Sequence, residues 1–112
     1  MLTTKDLNNV LKAIPEEMAG LGIEIERMVL FGSYAKRQAH AYSDVDIALW
    51  SPQFTGLGLI DLPLYQPILR KYPFLDIKTF PANATAYEQP FLEVIEQEGK
   101  EINCYEEEIG IE

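Results

Sequence analysis

Cysteine, histidine and tryptophan occur once each in 112 residues. A lone Cys104 cannot close an internal disulfide, which agrees with a reducing compartment. Positive charge is also scarce: nine Lys and Arg stand against eighteen Asp and Glu, for a net charge of −9. Such a surface repels a nucleic-acid backbone, so duplex binding is disfavoured. No stretch approaches the roughly 20 apolar residues needed to span a bilayer. The opening "MLTTKDLNNV" has no basic start, apolar block or small-residue cleavage site, so the expected location is cytoplasmic, with no membrane partner. Internal repeats and low-complexity segments are absent too.

What remains is an ordinary globular composition, 47% hydrophobic and 24% charged, at a length that suits one domain over residues 1–112. That length is short for an enzyme that builds its whole substrate site, so a partner is expected. The negative excess gathers late, with "EEE" at residues 106–108, and reads as a solvated acidic tail over about 101–112.

Thr3 or Thr4 can cap a helix whose Leu7, Val10, Leu11 and Ile14 recur at spacings of three and four. Pro15 should kink that helix or start a second short turn, and Gly20 and Gly22 should end it. "RMVLF" (27–31) is strand-like and delivers Gly32-Ser33 at its end, where a short helix can follow. "SDVDIALW" alternates, with Asp44, Asp46, Ala48 and Trp50 on one face and Val45, Ile47 and Leu49 on the core face. Residues 59–71 read as an irregular helix interrupted by Pro63 and Pro67. "FLDIKTF" (74–80) is a third strand, and 88–98 is a helix stopped by Gly99. The order is α, β, β, α, β, α.

Residues i and i+2 of a strand point the same way, so Asp44 and Asp46 leave the backbone about 7 Å apart and can converge. Two like charges so close call for a cation, and Mg²⁺, which takes oxygen ligands and keeps waters for substrate phosphates, is the natural occupant. Alone, "SDVD" is more simply a capped strand start with a wet face. Gly32-Ser33 upstream and Asp76 on a separate strand reverse that balance, because an anion cradle, with Lys36 and Arg37 one turn beyond it, then accompanies a third carboxylate. Three carboxylates suit two Mg²⁺ ions that hold the attacking and leaving oxygens of a phosphoryl or nucleotidyl transfer. His40, Lys78, Trp50 and Tyr34 each have a bland alternative. The first reads as an exposed loop residue, Lys78 as half of a surface ion pair, and the two aromatics as packing that could instead stack on a base.

"GSYAKRQAHAYSDVD" resembles the Gly-Ser and Ser-Asp-x-Asp signature of the DNA polymerase β-like nucleotidyltransferase superfamily. It is most similar to the minimal nucleotidyltransferase (MNT) domains found as antitoxins beside HEPN toxins. "LDIKTFP" and "FLEVIEQEGKEI" resemble the strand with the third acidic residue and the last helix of that family. The resemblance implies that Gly32, Ser33, Lys36 and Ser43 bind the nucleotide. It implies that Asp44, Asp46 and Asp76 bind Mg²⁺ and do the chemistry, with Asp76 as ligand or base. An acceptor hydroxyl would attack the α-phosphate of ATP, and in MNT antitoxins AMP goes to the partner toxin. Lys36-Arg37 stands where the family has Arg-Gly, so Arg37 would be strained if that position needs a positive φ.

The expected architecture is a two-layer α/β (α+β) domain with a small mixed sheet, helices mainly on one face and carboxylates on the other. The leading expectation is an Mg²⁺-dependent transfer of AMP from ATP to a protein, with a HEPN-type toxin as partner. A module that neutralises a partner by occlusion and a nucleotide sensor are the alternatives.

Overall fold

The computed structural model describes residues 2–85 and 88–103. Its elements are α1 (Thr4–Gly20), β1 (Arg27–Phe31), α2 (Gly32–Ala35), β2 (Val45–Ser51), α3 (Gly58–Lys71), β3 (Leu75–Pro81), α4 (Phe91–Glu98) and β4 (Lys100–Ile102). The strands form one mixed sheet in the order β3-β2-β1-β4, with β2 and β3 parallel and the other pairs antiparallel. This is the small mixed sheet with helices expected of a polymerase β-like α+β domain. No helix among the described residues is long and apolar enough to cross a membrane.

α1 begins as its sequence predicts, with the Thr3 side chain accepting from the Asp6 N–H at 3.0 Å. Of the two expectations at Pro15, the second short turn is overturned: the helix runs on to Gly20 as one element with the proline inside it. A proline inside a helix forfeits one hydrogen bond. Leu7, Leu11, Ile14, Pro15 and Met18 are all buried against the sheet, and that packing holds the helix through the break.

Two apolar layers flank the sheet. Val45, Ile47 and Leu49 of β2 face α1 and α3 in the larger core, as the alternation predicts. On the other face Ala48 and Trp50 join Val29 and Phe80 beneath Leu92 and Ile95 of α4. The aspartate face is therefore only half open: α4 covers its Trp50 end, and Asp46 at the other end is half-buried.

β4 was not expected. Lys100–Ile102 pairs with Met28–Leu30 of β1, so the segment assigned to a solvated tail starts as an edge strand. Residues from Cys104 onward, with the acidic run 106–108, lie outside the described residues. α4 begins at Phe91 and not at residue 88, since Pro90 occupies its N-cap position.

Candidate active site

The site is assembled where β1 runs into α2. Gly32 has φ +71, a conformation that side chains disfavour, and a Cβ there would land on Oδ2 of Asp46. The pairing of Phe31 with Asp46 across β1 and β2 sets this approach. Glycine is thus required twice, for its backbone angle and for the absence of a side chain above the carboxylate. α2 is a single turn closed by the Lys36 N–H on Gly32 O (3.1 Å) and the Gln38 N–H on Ser33 O (2.8 Å).

That closure puts Arg37 at φ 58, the left-handed position just past a helix end that glycine usually fills. Arg37 is the sole non-glycine with positive φ among the described residues. The strain anticipated for an arginine there is present. Arg37→Gly should relieve about 1–2 kcal/mol of it and give back about 0.5–1 kcal/mol in unfolded-chain entropy. The net is a gain of about 0.5–1 kcal/mol and a Tm higher by roughly 3–6 °C. A calorimetric Tm equal to or below that of the parent would refute this.

Asp46 and Asp76 are direct neighbours in the parallel β2-β3 ladder. Burial first, then a hydrogen bond and charge repulsion from Asp76, with a further contribution from Asp44, push the Asp46 carboxyl up to about 6. Lys78 draws it back in part. Asp44 precedes β2 and is exposed, so it acts on Asp46 at a distance. Gly32, Asp46 and Asp76 are therefore in one place, with Asp44 at the rim.

Other anticipated residues have different local duties. Lys36 Nζ pairs with Glu98 of α4 at 2.9 Å. The Ser43 hydroxyl accepts from the His40 N–H at 2.9 Å and holds the loop before Asp44. Trp50 is buried, stacked on Phe80 at 5.0 Å, with the Arg27 guanidinium 4.5 Å from its ring centre, so it is unavailable to a base. Tyr34 is buried and its hydroxyl accepts from the Leu2 N–H, a packing role. His40 is an exposed loop residue, as expected. Glu98 was missed altogether; a helix-end glutamate carries no local signal of a partner so far upstream.

Among the described residues no three acidic, histidine or cysteine side chains converge closely enough to cage a metal. The donor chemistry nevertheless fits Mg²⁺. Two hard oxygen donors are forced together at an energetic cost that a cation would remove, and Mg²⁺ is commonly held by one or two carboxylates with waters and phosphate oxygens completing its shell.

Residues 12–108 match the family model described as Polymerase beta, Nucleotidyltransferase. Two solved structures share the fold. One is a toxin–antitoxin crystal structure with AMP-PNP, at 24% identity and TM-score 0.52, covering 83% of this chain and 71% of that one. The other is a mutant of the toxin–antitoxin MntA-HpeT, at 19% identity and TM-score 0.51, covering 81% and 70%. No curated protein matches.

Proposed function

Because this chain belongs to the polymerase β nucleotidyltransferase family, we propose that it transfers AMP from ATP to a hydroxyl of a partner protein, as an antitoxin acting on a HEPN-type toxin. The observation that carries this reading is the Asp46–Asp76 pair beneath the Gly32 turn. The turn offers backbone N–H groups and the Ser33 hydroxyl to a triphosphate without a side chain in the way. Lys36, released from Glu98, can balance phosphate charge. Asp46 and Asp76, with Asp44 at the rim, would hold Mg²⁺, which when bound supplies Lewis-acid stabilisation of the charge on the phosphate. Asp76, which this reading leaves as ligand or base, would in the second role take the proton of an incoming hydroxyl. The structural relatives, both toxin–antitoxin assemblies and one of them with AMP-PNP, support a nucleotide and a protein partner. A net charge of −9 favours a protein acceptor over RNA.

The test is transfer of label from α-phosphate-labelled ATP with Mg²⁺ into a lysate of the source cells. The expected result is a discrete labelled protein, lost with the Asp44→Ala, Asp46→Ala double variant. Equal labelling by that variant, or label in RNA alone, would overturn the reading. A second reading, neutralisation of a partner by occlusion, draws on the exposed apolar face of α3. It predicts inhibition of the partner by the double variant without any transfer.

A further inference from the structure

β3 is a sheet edge. One side of it pairs with β2, and on the other the backbone groups of every second residue have no strand partner among the described residues. Against that side lies a cleft of about 410 Å³, walled by Lys78 and Phe80 of β3, Gly56 before α3, and Gln89 and Phe91 by the start of α4. Gly56 has φ +86, and a Cβ there would press on Gln89 and Pro81. Lys78 lies two residues along β3 from Asp76, on the same face, and its charge reaches Asp46. The cleft therefore opens beside the acidic pair.

From the cleft the surface continues onto α3. Leu57, Leu59, Ile60 and Leu64 are 57%, 90%, 57% and 43% exposed, a solvent-facing apolar patch. Asp61, the sole carboxylate in α3, is fully buried, so this face of an acidic protein shows no negative charge from its own helix.

Across the sheet the order is the Gly32 turn after β1, Asp46 on β2, Asp76 on β3, then the open edge. In an in-line displacement the entering oxygen and the leaving group lie on opposite sides of phosphorus. With the triphosphate held at the β1 side, the acceptor has to come from the β3 side. Resting on the nucleotidyltransferase reading, we propose that an extended segment of a protein adds as a strand to the outer edge of β3. Its neighbouring side chains seat in the cleft, and the apolar face of α3 holds the rest of that partner. Cross-strand neighbours have Cβ atoms about 4.5–5.5 Å apart, so the residue opposite Asp76 places its hydroxyl beside that carboxylate. The hydroxyl oxygen bonds to the α-phosphorus, the bond to pyrophosphate breaks with its electron pair leaving on pyrophosphate, and the proton passes to Asp76. A strand edge and a hydrocarbon face recognise peptide and apolar side chains; neither suits a polyanion.

The full chain carries the test. Leu59→Glu with Ile60→Glu changes exposed residues only. A second variant, Gln89→Cys in a Cys104→Ser background, is alkylated with N-ethylmaleimide to fill the cleft. Leu21→Glu, on the exposed end of α1, is the control. Calorimetric Mg²⁺-ATP affinity should stay within about twofold in all three, and protein labelling should fall at least tenfold in the first two alone. Parental labelling rates in either the α3 pair or the blocked cleft would overturn this inference and leave the transferase reading standing. A parent protein that labels no protein at all would overturn the transferase reading, and this inference with it. Equal loss in the Leu21→Glu control would deny the β3 side any special place.

Discussion

Replacing Asp46 by asparagine is expected to abolish transfer and, at the same time, to make the metal-free protein more stable. The two effects share one cause. The Asp46 carboxyl is raised from 3.8 to about 6 because burial and the facing Asp76 disfavour its charge. A group whose folded pKa is raised contributes stability below its unfolded pKa and loses it as pH rises through the folded value. Between about pH 4 and 6 the protein without metal should therefore lose stability from this group, and at pH 7.5 the cost is fully present. An elevation of that size converts to about 3 kcal/mol in full. Asp46 is only partly buried, and solvent screening reduces the contribution to about 1 kcal/mol. The asparagine amide carries no charge, so the variant's Tm at pH 7.5 should rise by roughly 4–8 °C. Mg²⁺ should raise the parent's Tm by mass action and leave the variant's nearly unmoved. Transfer should drop by at least about 10²-fold, the scale of deleting one preorganised charged group. A variant that melts lower than the parent without metal, or keeps its activity, contradicts this account.

The largest loss of stability should come from Asp61→Ala, a residue that no motif or spacing singles out. Its carboxylate is fully buried between α3 and the sheet. Oδ1 accepts the Thr55 N–H and hydroxyl, both at 2.9 Å, and Oδ2 accepts the Gly56 N–H at 3.0 Å and the Thr79 hydroxyl at 2.6 Å. Burial acts to raise its pKa, and these four bonds outweigh burial and hold it below the usual value. Truncation leaves the donors stranded in a packed interior, at a cost of about 3 kcal/mol and a Tm lower by roughly 12–20 °C. Asp61→Asn should lose less, since its amide oxygen can still accept from one side. Because the folded pKa is lowered, Asp61 stabilises above the unfolded carboxyl pKa and that support fades as pH falls below it. Acid unfolding of the parent should begin under about pH 4 and be shallower in the Asp61→Asn variant. A Tm change below about 4 °C for the alanine would mean the four bonds are replaced by others.

Much of this chain was legible from neighbours in sequence. The threonine cap and apolar stripe of α1 define a helix from local chemistry alone. The bounds of β1 coincide with "RMVLF", and the alternation in "SDVDIALW" separates core side chains from the aspartate face, because a strand's period of two is a backbone property. Gly32-Ser33 and the i, i+2 aspartates raise the expectation of phosphate and metal chemistry before any fold is known. The strain at Arg37 was foreseeable only through the family resemblance, in which a glycine stands at that position; φ 58 bears it out.

Tertiary structure decided what depends on which distant segments meet. Parallel pairing places Asp76 directly beside Asp46, a register no local pattern encodes. α4 closes half of the aspartate face over Trp50 and ties Lys36 to Glu98, and both facts follow from where one short helix lands. β4 is three residues long, too short to declare itself by periodicity, and exists because β1 offers it a free edge. Pro15 stays within α1 since burial of its neighbours offsets one missing hydrogen bond. Asp61 reads as an ordinary helix carboxylate until the fold surrounds it with four donors from two other segments. Residue types and their spacing state what chemistry is available; register, burial and long-range contact select which of those groups are brought together and which are spent holding the fold.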